Sequence, residues 1–134
     1  MLEYEMMEIS YAYLSNKKNY KIVKKEVPFL SRCIDIVFVN EKDEVVSIEL
    51  KVHDWRHAIE QAINHQLGAD KSYICLPKRK MNEQLSSALK TTGVGLLFFE
   101  KNNVEPVYEV FAASQSKKSV PAFRYMLIEN MNRV

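Results

Sequence analysis

The sequence has few of the residues that mark linkers, repeats or cross-linked scaffolds. Its 134 residues include only three glycines, four prolines and two cysteines. So little glycine and proline argues against a flexible linker or a low-complexity tract. Two cysteines without a Cys-x-x-Cys spacing argue against a disulfide framework or a structural metal. A chain of this length buries about two-thirds of its unfolded surface, so we expect one globular domain over residues 1–134.

A long apolar run and a strong excess of one charge are also missing. No apolar run approaches the roughly 20 residues that cross a bilayer, and the amino terminus, MLEYEMMEIS, is acidic where a secretory signal is basic. The 19 basic and 17 acidic residues give a net charge of +2, which neither requires nor excludes a nucleic-acid partner. Cys33 and Cys75 lie in apolar runs and are expected as buried thiols of a reducing compartment. We therefore expect a cytoplasmic protein.

Hydrophobic periodicity and turn residues predict an alternation of strands and helices. The expected elements are a helix at 2–15, an edge strand at 20–29, a hairpin at 33–52, a helix at 55–69 capped by Asp54, a strand at 72–77, a helix at 81–93, a strand at 94–100, an edge strand at 105–113 and a closing helix at 120–134. An antiparallel meander followed by strand–helix alternation predicts a mixed β-sheet with helices on both faces. The expected fold class is a three-layer α/β domain.

The hairpin, CIDIVFVNEKDEVVSIELKV, carries acidic residues inside two apolar runs. A three-residue loop at 41–43 gives one unbroken apolar face, whereas a two-residue loop mixes apolar and polar residues, so the hydrophobic pattern selects the former. The apolar pairs of that register are Phe38 with Val46, Ile36 with Ile48, and Ile34 with Leu50. On the other face Asp35 lies opposite Glu49, with Cβ atoms about 5 Å apart. Lys51 follows Glu49 on the same face.

Two interpretations of these three charges are open. In the first, the like charges repel and Lys51 offsets only one carboxylate, so a formal charge of −1 remains. A divalent cation would neutralise this charge, and paired carboxylates suit Mg²⁺ or Mn²⁺. Alternatively, the residues form an exposed ion-pair cluster worth about 1 kcal/mol or less. The following helix favours the first, because we expect it to return across the sheet and half-cover the charges. Partly buried, unpaired carboxylates indicate a functional site.

Asp35, followed fourteen positions later by Glu49-Leu50-Lys51, resembles the D…(D/E)xK signature of the PD-(D/E)xK phosphodiesterase superfamily. The likeness continues through IELKVHDWRHAIEQA and GADKSYICLP, where small members also have a glutamine-bearing helix and a strand that ends near a proline. It covers about residues 1–77. Ile34 stands where members often have proline. The resemblance implies a restriction-endonuclease-like fold, with a central mixed β-sheet flanked by helices.

The resemblance also implies a function: a metal-dependent nuclease that hydrolyses phosphodiester bonds, with DNA as the expected substrate, by in-line attack of a metal-activated water. Asp35, Glu49 and the Leu50 carbonyl would hold Mg²⁺ or Mn²⁺, while Lys51 would orient or help deprotonate the water and stabilise the developing charge. The alternative is a catalytically inactive module of the same fold that binds nucleic acid or a protein partner. Retention of all three charged residues favours the enzyme. A homodimer and a partner protein that supplies specificity are both compatible with a chain of this size.

Residues outside the signature complete the expected site. Gln61 is preferred as the supporting helix glutamine over Gln66, which lies near the centre of the apolar stripe and is more typical of a core hydrogen bond. In the first helix, Glu5 and Glu8 are candidates for an additional acidic ligand; Glu8 is preferred, and a solvated helix face is the plain alternative.

Basic residues in loops and edges are candidates for contact with a phosphate backbone, although short lysine clusters equally serve solubility. The candidates are Lys24, Lys25, His57, Lys78, Arg79 and Lys80. His57 and His65 share one helix stripe but lie two turns apart, about 12 Å, too far to share a metal. Exposed or phosphate-contacting histidines are therefore expected at both positions.

Overall fold

The structure is a computed structural model that describes all of residues 1–134. Four helices and six strands follow one another along the chain. They are α1 (Glu3–Ser15), β1 (Tyr20–Phe29), β2 (Arg32–Asn40), β3 (Val45–Leu50), α2 (Trp55–His65), β4 (Lys71–Pro77), α3 (Glu83–Thr92), β5 (Gly95–Phe99), β6 (Val107–Phe111) and α4 (Pro121–Asn132). Every element that the sequence predicts is present and in the predicted order.

The six strands form one mixed sheet in the order β1-β2-β3-β4-β5-β6. The strands β1, β2 and β3 are antiparallel neighbours, β3, β4 and β5 run parallel, and β6 returns antiparallel to β5. The parallel pairs need crossover connections, which α2 and α3 supply. As predicted, β1 and β6 are the edges. The carboxyl ends of β3 and β4 therefore lie side by side.

Helices cover both faces of the sheet and bury three apolar clusters. On one face, strand residues that include Ile36, Ile48 and Cys75 pack against Met6 and Leu14 of α1. The opposite face packs against the other three helices. Its contacts include Ile74 and Leu76 with Ala58 and Leu85 of α2 and α3, and Val37 and Val45 with Leu127 and Met131 of α4. The predicted three-layer α/β architecture is confirmed. None of the four helices is long and apolar enough to cross a membrane.

The β2–β3 hairpin has the predicted register. Ile36 pairs with Ile48, and Val39 pairs with Val45. The loop closes where the Asn40 N–H donates to the Glu44 carbonyl at 3.1 Å. The three-residue loop that the hydrophobic pattern selects is therefore confirmed.

Counted back from the hairpin loop, the regular pairing of β2 with β3 ends one residue short of Asp35. The sheet face predicted for Ile34 is wrong. The ladder stops at Ile36, and Ile34 packs in the cluster that contacts α4, not on the α1 face with Ile36. Here the Asp35 Oδ2 accepts a hydrogen bond from the Leu50 N–H at 2.8 Å, so a side-chain bond takes the place of a backbone pair. The other neighbouring strand is irregular at the same point, where Glu26 of β1 has a φ of 52° and is not paired with Asp35. The alternation of β2 is interrupted between these two features.

The two cysteines are both free thiols in different surroundings. Cys75 is buried in β4, and burial raises the pKa of its thiol. Cys33 is exposed near the end of the β1–β2 hairpin, where it pairs with Pro28. The expectation of a buried thiol is confirmed for Cys75 and wrong for Cys33.

Candidate active site

Glu49 lies near the carboxyl end of β3 on the sheet face that α2 covers. Its neighbour in β4, Ile74, packs against Ala58 and Ala62 of that helix. The helix begins at the predicted cap, where the Asp54 side chain accepts from the His57 N–H at 3.3 Å. Glu49 consequently retains only 4% of its exposure. The prediction that the helix returns over the hairpin charges is confirmed for Glu49.

The carboxyl groups of Asp35 and Glu49 lie close enough for each to change the pKa of the other. Burial raises the pKa of Glu49 to about 9, and the charge and hydrogen bond of Asp35 add to the rise. Burial also raises the pKa of Asp35, while the hydrogen bond from the Leu50 N–H opposes that rise. Without a bound cation, the pair therefore holds a proton at neutral pH.

Lys51 is the first residue after β3, and its backbone N–H donates to the Cys75 carbonyl at 3.1 Å. Its positive charge lowers the pKa of both Asp35 and Glu49, so the ammonium lies near both carboxyl groups. It takes part in none of the ion pairs of the structure. The ammonium is therefore adjacent to the acidic pair without being bound to it.

His65, in the last turn of α2, is buried beside Glu49, and the expectation of an exposed histidine here is wrong. Its side chain retains 6% of its exposure, and its Nε2 lies 3.9 Å from Glu49 Oε1. Burial lowers the pKa of His65 to about 4, so the imidazole is neutral at physiological pH. Neither His65 Nδ1 nor Glu49 Oε1 has a hydrogen-bond partner.

The two glutamines of this helix region differ in how their side chains are satisfied. Gln66 is buried, and its amide donates to the Thr92 carbonyl at 2.9 Å, which is the core hydrogen bond expected of it. Gln61 lies one turn before His65 on the same stripe, and its Oε1 is buried without a partner. Gln61 therefore has a free acceptor, and its supporting role stays a prediction.

The two acids of α1 named as candidate ligands each form an ion pair with a lysine. Glu8 pairs with Lys25, with 3.0 Å between Oε1 and Nζ, and Glu5 pairs with Lys101. The structure thus gives Glu8 a surface ion pair, and its ligand role stays a prediction.

A different acid of α1, Glu3, reaches the candidate site. Its Oε1 accepts a hydrogen bond from the Val52 N–H at 3.2 Å, and its charge raises the pKa of Asp35. Sequence reasoning missed it because the helix pattern shows which residues share a face but not which end of the helix meets the end of β3. The acidic first turn of α1 was the available signal.

Three of the predicted basic residues lie together where β4 ends. Lys78, Arg79 and Lys80 follow β4 and line a cavity of about 340 Å³, together with Val52 and His53, which follow Lys51, and with Trp55, Leu76 and Pro77. No acidic residue lines this cavity, which we call the basic pocket. It lies at the carboxyl ends of the parallel strands β3 and β4, where α/β sheets commonly bind ligands.

The other predicted basic contacts lie outside the basic pocket and have partners within the chain, as Lys78 also does through Glu100. Lys24 Nζ donates to the Val134 carbonyl at 2.8 Å, and Lys25 is paired with Glu8. His57 Nδ1 lies 3.7 Å from Glu60 Oε2. The structure does not bring these three residues into the basic pocket.

The oxygen donors of Asp35 and Glu49 fit a hard divalent cation. The two carboxyl groups lie close together, and Glu49 Oε1 is buried without a partner. No group of three or more His, Cys, Asp and Glu side chains is gathered closely enough to hold a metal. The chain thus offers two carboxylates and leaves the remaining positions to a main-chain carbonyl, water and substrate, which is a common arrangement for Mg²⁺.

Comparison with known proteins finds similar structures but no similar sequences. No protein-family profile and no curated protein sequence matches the chain. A protein of unknown function from Silicibacter pomeroyi superposes with a TM-score of 0.69 at 18% identity, over 99% of this chain and 86% of that one.

Two further structures are described as a repair endonuclease and as a DNA complex. A repair endonuclease from Pyrococcus abyssi gives a TM-score of 0.56 at 21% identity, over 79% of this chain and 48% of that one. EndoMS in complex with double-stranded DNA gives 0.53 at 18% identity, over 75% and 45%. The alignments thus span about half the length of those two proteins. The likeness establishes the fold: this chain has the three-layer, restriction-endonuclease-like α/β fold that a repair endonuclease also has.

Proposed function

We propose that the protein is a metal-dependent nuclease of the PD-(D/E)xK type that hydrolyses phosphodiester bonds in DNA. The observation that carries the proposal is the close approach of the half-buried Asp35 to the buried Glu49, with the unpaired Lys51 in the vicinity. Carboxyl groups brought together away from water cost stability, so their presence points to chemistry. The fold shared with a repair endonuclease and with DNA-bound EndoMS supports the same proposal.

A divalent cation, Mg²⁺ or Mn²⁺, is proposed between Asp35 and Glu49, with the Leu50 carbonyl as a further donor. When bound, the cation would neutralise the two carboxylates and lower the pKa of a coordinated water. Asp35 is oriented for this role by the N–H of Leu50. Glu49 is oriented by the packing of α2 over β3.

Lys51 and Gln61 are proposed to act on the water and the phosphate. The Lys51 ammonium is not used by any ion pair, so it is free to hold the attacking water and to stabilise negative charge that develops on the phosphate. The buried, unpaired Oε1 of Gln61 supplies a hydrogen-bond acceptor for the same water network. Glu3, bound to the Val52 N–H, is proposed in place of Glu8 as the additional acidic group.

The substrate strand is proposed to approach through the basic pocket. Val52 and His53 connect this pocket to Lys51 along the chain, so a phosphate held there would be a near neighbour of the one that is cleaved. Three cations in a pocket that no acidic residue lines give the attraction that a nucleic-acid backbone needs. Lys78 also has an acidic partner outside the pocket, Glu100, with 3.8 Å between Nζ and Oε1. Lys24, Lys25 and His57 are secondary candidates, since they lie outside the basic pocket. A homodimer and a specificity-giving partner protein stay proposals.

Cleavage of plasmid and branched DNA in Mg²⁺ or Mn²⁺ tests the proposal. The wild type should cut, and Asp35→Ala and Lys51→Ala should not. Lys117→Ala, which changes an exposed lysine far along the sequence from the site, is the matched control and should cut normally. The same substrates made of RNA test the preference for DNA. Tight DNA binding without cleavage in either metal would replace the enzyme by a nucleic-acid-binding module of the same fold.

A further inference from the structure

We propose that His65 is a positioning residue for Glu49, holding that carboxylate in the orientation in which it binds the cation. This inference rests on the proposed function, because it concerns the same cation site. It assigns a role to a side chain that the D…(D/E)xK signature does not include.

The geometry brings the two side chains together inside the protein. His65 and Glu49 retain 6% and 4% of their exposure, and His65 Nε2 lies 3.9 Å from Glu49 Oε1. A direct N–H···O hydrogen bond is about 1 Å shorter, so a small rotation of either side chain would close the gap. Glu49 Oε1 has no other partner that would compete for it.

The imidazole is arranged to donate from Nε2. Its Nδ1 is buried and faces no acceptor or donor, so a proton on that atom would be an unsatisfied buried N–H, which is rare in proteins. The favoured neutral tautomer therefore carries its proton on Nε2, on the side of Glu49 Oε1.

Packing alone does not explain a histidine at this position. The neighbours of His65 on α2 are mostly apolar, with Ala58, Ile59 and Ala62 in the core, although Gln61 shares its stripe. Gln66, the next residue, shows how a buried polar side chain here is otherwise satisfied, through its 2.9 Å bond to the Thr92 carbonyl. His65 has no such bond in the core. A buried polar group without a partner costs stability, and the structure places Glu49 Oε1 within 4 Å of the other ring nitrogen, Nε2.

Residues that hydrogen-bond to metal-binding side chains commonly change metal affinity by about 10–100-fold when they are removed. In such a role, the N–H at the Nε2 position is the feature of His65 that affects metal affinity. Glutamine can place its amide N–H near the same point, whereas leucine fills the space without a donor.

The experiment measures Mn²⁺ affinity by calorimetry for the wild type, His65→Leu, His65→Gln and Gln66→Leu, together with urea unfolding of each metal-free protein. We expect His65→Leu to weaken Mn²⁺ binding by about 10–100-fold and His65→Gln to restore most of it. Metal-free His65→Leu should unfold at an equal or higher urea concentration, since it removes an unsatisfied polar group. Gln66→Leu is the matched control and should lose stability while it keeps its Mn²⁺ affinity.

Three outcomes would overturn the inference. Unchanged Mn²⁺ affinity in His65→Leu would show that Glu49 needs no help from the imidazole. Equal losses in His65→Leu, His65→Gln and Gln66→Leu would show that packing at the end of α2 is what matters. If the wild type bound no Mn²⁺, the proposed function itself would be wrong. This outcome differs from the first two because it is seen in the wild type, without any variant.

Discussion

The Oδ2 atom of Asp35 accepts a hydrogen bond from the Leu50 N–H at 2.8 Å, so a side chain completes the hairpin where backbone pairing has ended. This bond holds the carboxyl group of Asp35 against that of Glu49. The candidate catalytic carboxylate is thus also a structural element of the sheet, and substitutions at Asp35 have to separate the two roles.

Asp35→Asn and Asp35→Ala separate them. Asparagine keeps an oxygen that accepts from Leu50 but removes the partly buried negative charge, so metal-free Asp35→Asn should melt at or above the wild-type temperature. Asp35→Ala should melt below Asp35→Asn, because it leaves a backbone N–H without its partner, a loss of about 1–3 kcal/mol. Both should lose the rise in melting temperature that Mn²⁺ gives the wild type. The measurement is thermal unfolding in EDTA and in Mn²⁺, and an unchanged Mn²⁺ response in Asp35→Asn would contradict the ligand assignment.

Glu49 should make the metal-free protein less stable as the pH rises. Its pKa is about 9 in the folded protein against an ordinary value of 4.5, because burial and Asp35 oppose its ionisation. The folded state therefore holds a proton that the unfolded state releases, and this contribution is full below pH 4.5 and lost as the pH approaches 9.

Glu49→Gln removes that titration, so in EDTA at pH 8 the variant should be the more stable protein. A gain of about 1 kcal/mol would raise the melting temperature of a domain of this size by about 4 °C. Glu41→Gln, in the exposed hairpin loop, is the matched control and should leave the pH profile unchanged. If the stability of the wild type and that of Glu49→Gln changed with pH in parallel, burial and Asp35 would not raise the pKa of Glu49 in solution.

The hairpin shows how far the sequence can specify this site. Turn length and side-chain alternation are local properties, so the pairing of Ile36 with Ile48 was predictable, and with it the approach of Asp35 to Glu49. The same reasoning placed Ile34 on the wrong face, because it could not include a side chain that bonds to the backbone of the next strand. Alternation describes a regular ladder, and this ladder ends at a residue of the candidate site.

The sequence predicts where the helices begin and end, but not which residues their side chains meet in the fold. Asn82 caps α3 by accepting from the Leu85 N–H, and Gly93 ends it with a φ of 76°, a left-handed backbone that suits glycine. The sequence carries both signals. The burial of His65 against Glu49 and the approach of Glu3 to Val52 depend on how helices sit on the sheet. That arrangement is a tertiary property, so sequence reasoning left His65 exposed and preferred Glu8.

Lys51→Ala should separate catalysis from cation binding. Removal of a positive charge beside Asp35 and Glu49 should leave Mn²⁺ affinity equal or higher. Loss of the group that handles the water and the phosphate charge should reduce the cleavage rate by about 10²–10⁴-fold. Single-turnover cleavage and Mn²⁺ calorimetry on the same preparation test both, with Lys117→Ala as the control. If Lys51→Ala weakened Mn²⁺ binding and left the rate at saturating Mn²⁺ unchanged, Lys51 would be a structural part of the cation site.

Glu3 and Glu8 offer a matched pair of substitutions on one helix. Glu3→Gln removes a negative charge close to Asp35 and should weaken Mn²⁺ affinity. Glu8→Gln breaks an exposed ion pair with Lys25, should change stability by about 1 kcal/mol or less, and should leave Mn²⁺ affinity unchanged. Titration with Mn²⁺ at constant ionic strength compares the two variants. The reverse order of effects would restore Glu8 as the additional ligand.

The basic pocket should govern DNA affinity without affecting the cation. Neutralising Lys78, Arg79 and Lys80 together removes three positive charges from its rim. Each lost phosphate contact should reduce the slope of log affinity against log salt by about 0.9, so the triple alanine variant should lose up to about 3 units of slope. Its Mn²⁺ affinity should not change, because none of the three residues touches Asp35 or Glu49.

A triple alanine variant at Lys42, Lys117 and Lys118 removes the same charge elsewhere and is the control for this comparison. Measurements use a short DNA duplex and its single strand in Ca²⁺, an ion chosen to hold the site without rapid cleavage, at several salt concentrations. An equal loss of slope in both variants would mean that the basic pocket acts only through net charge. A loss confined to Lys78, Arg79 and Lys80 would place the substrate strand at the carboxyl ends of β3 and β4, beside the acidic pair.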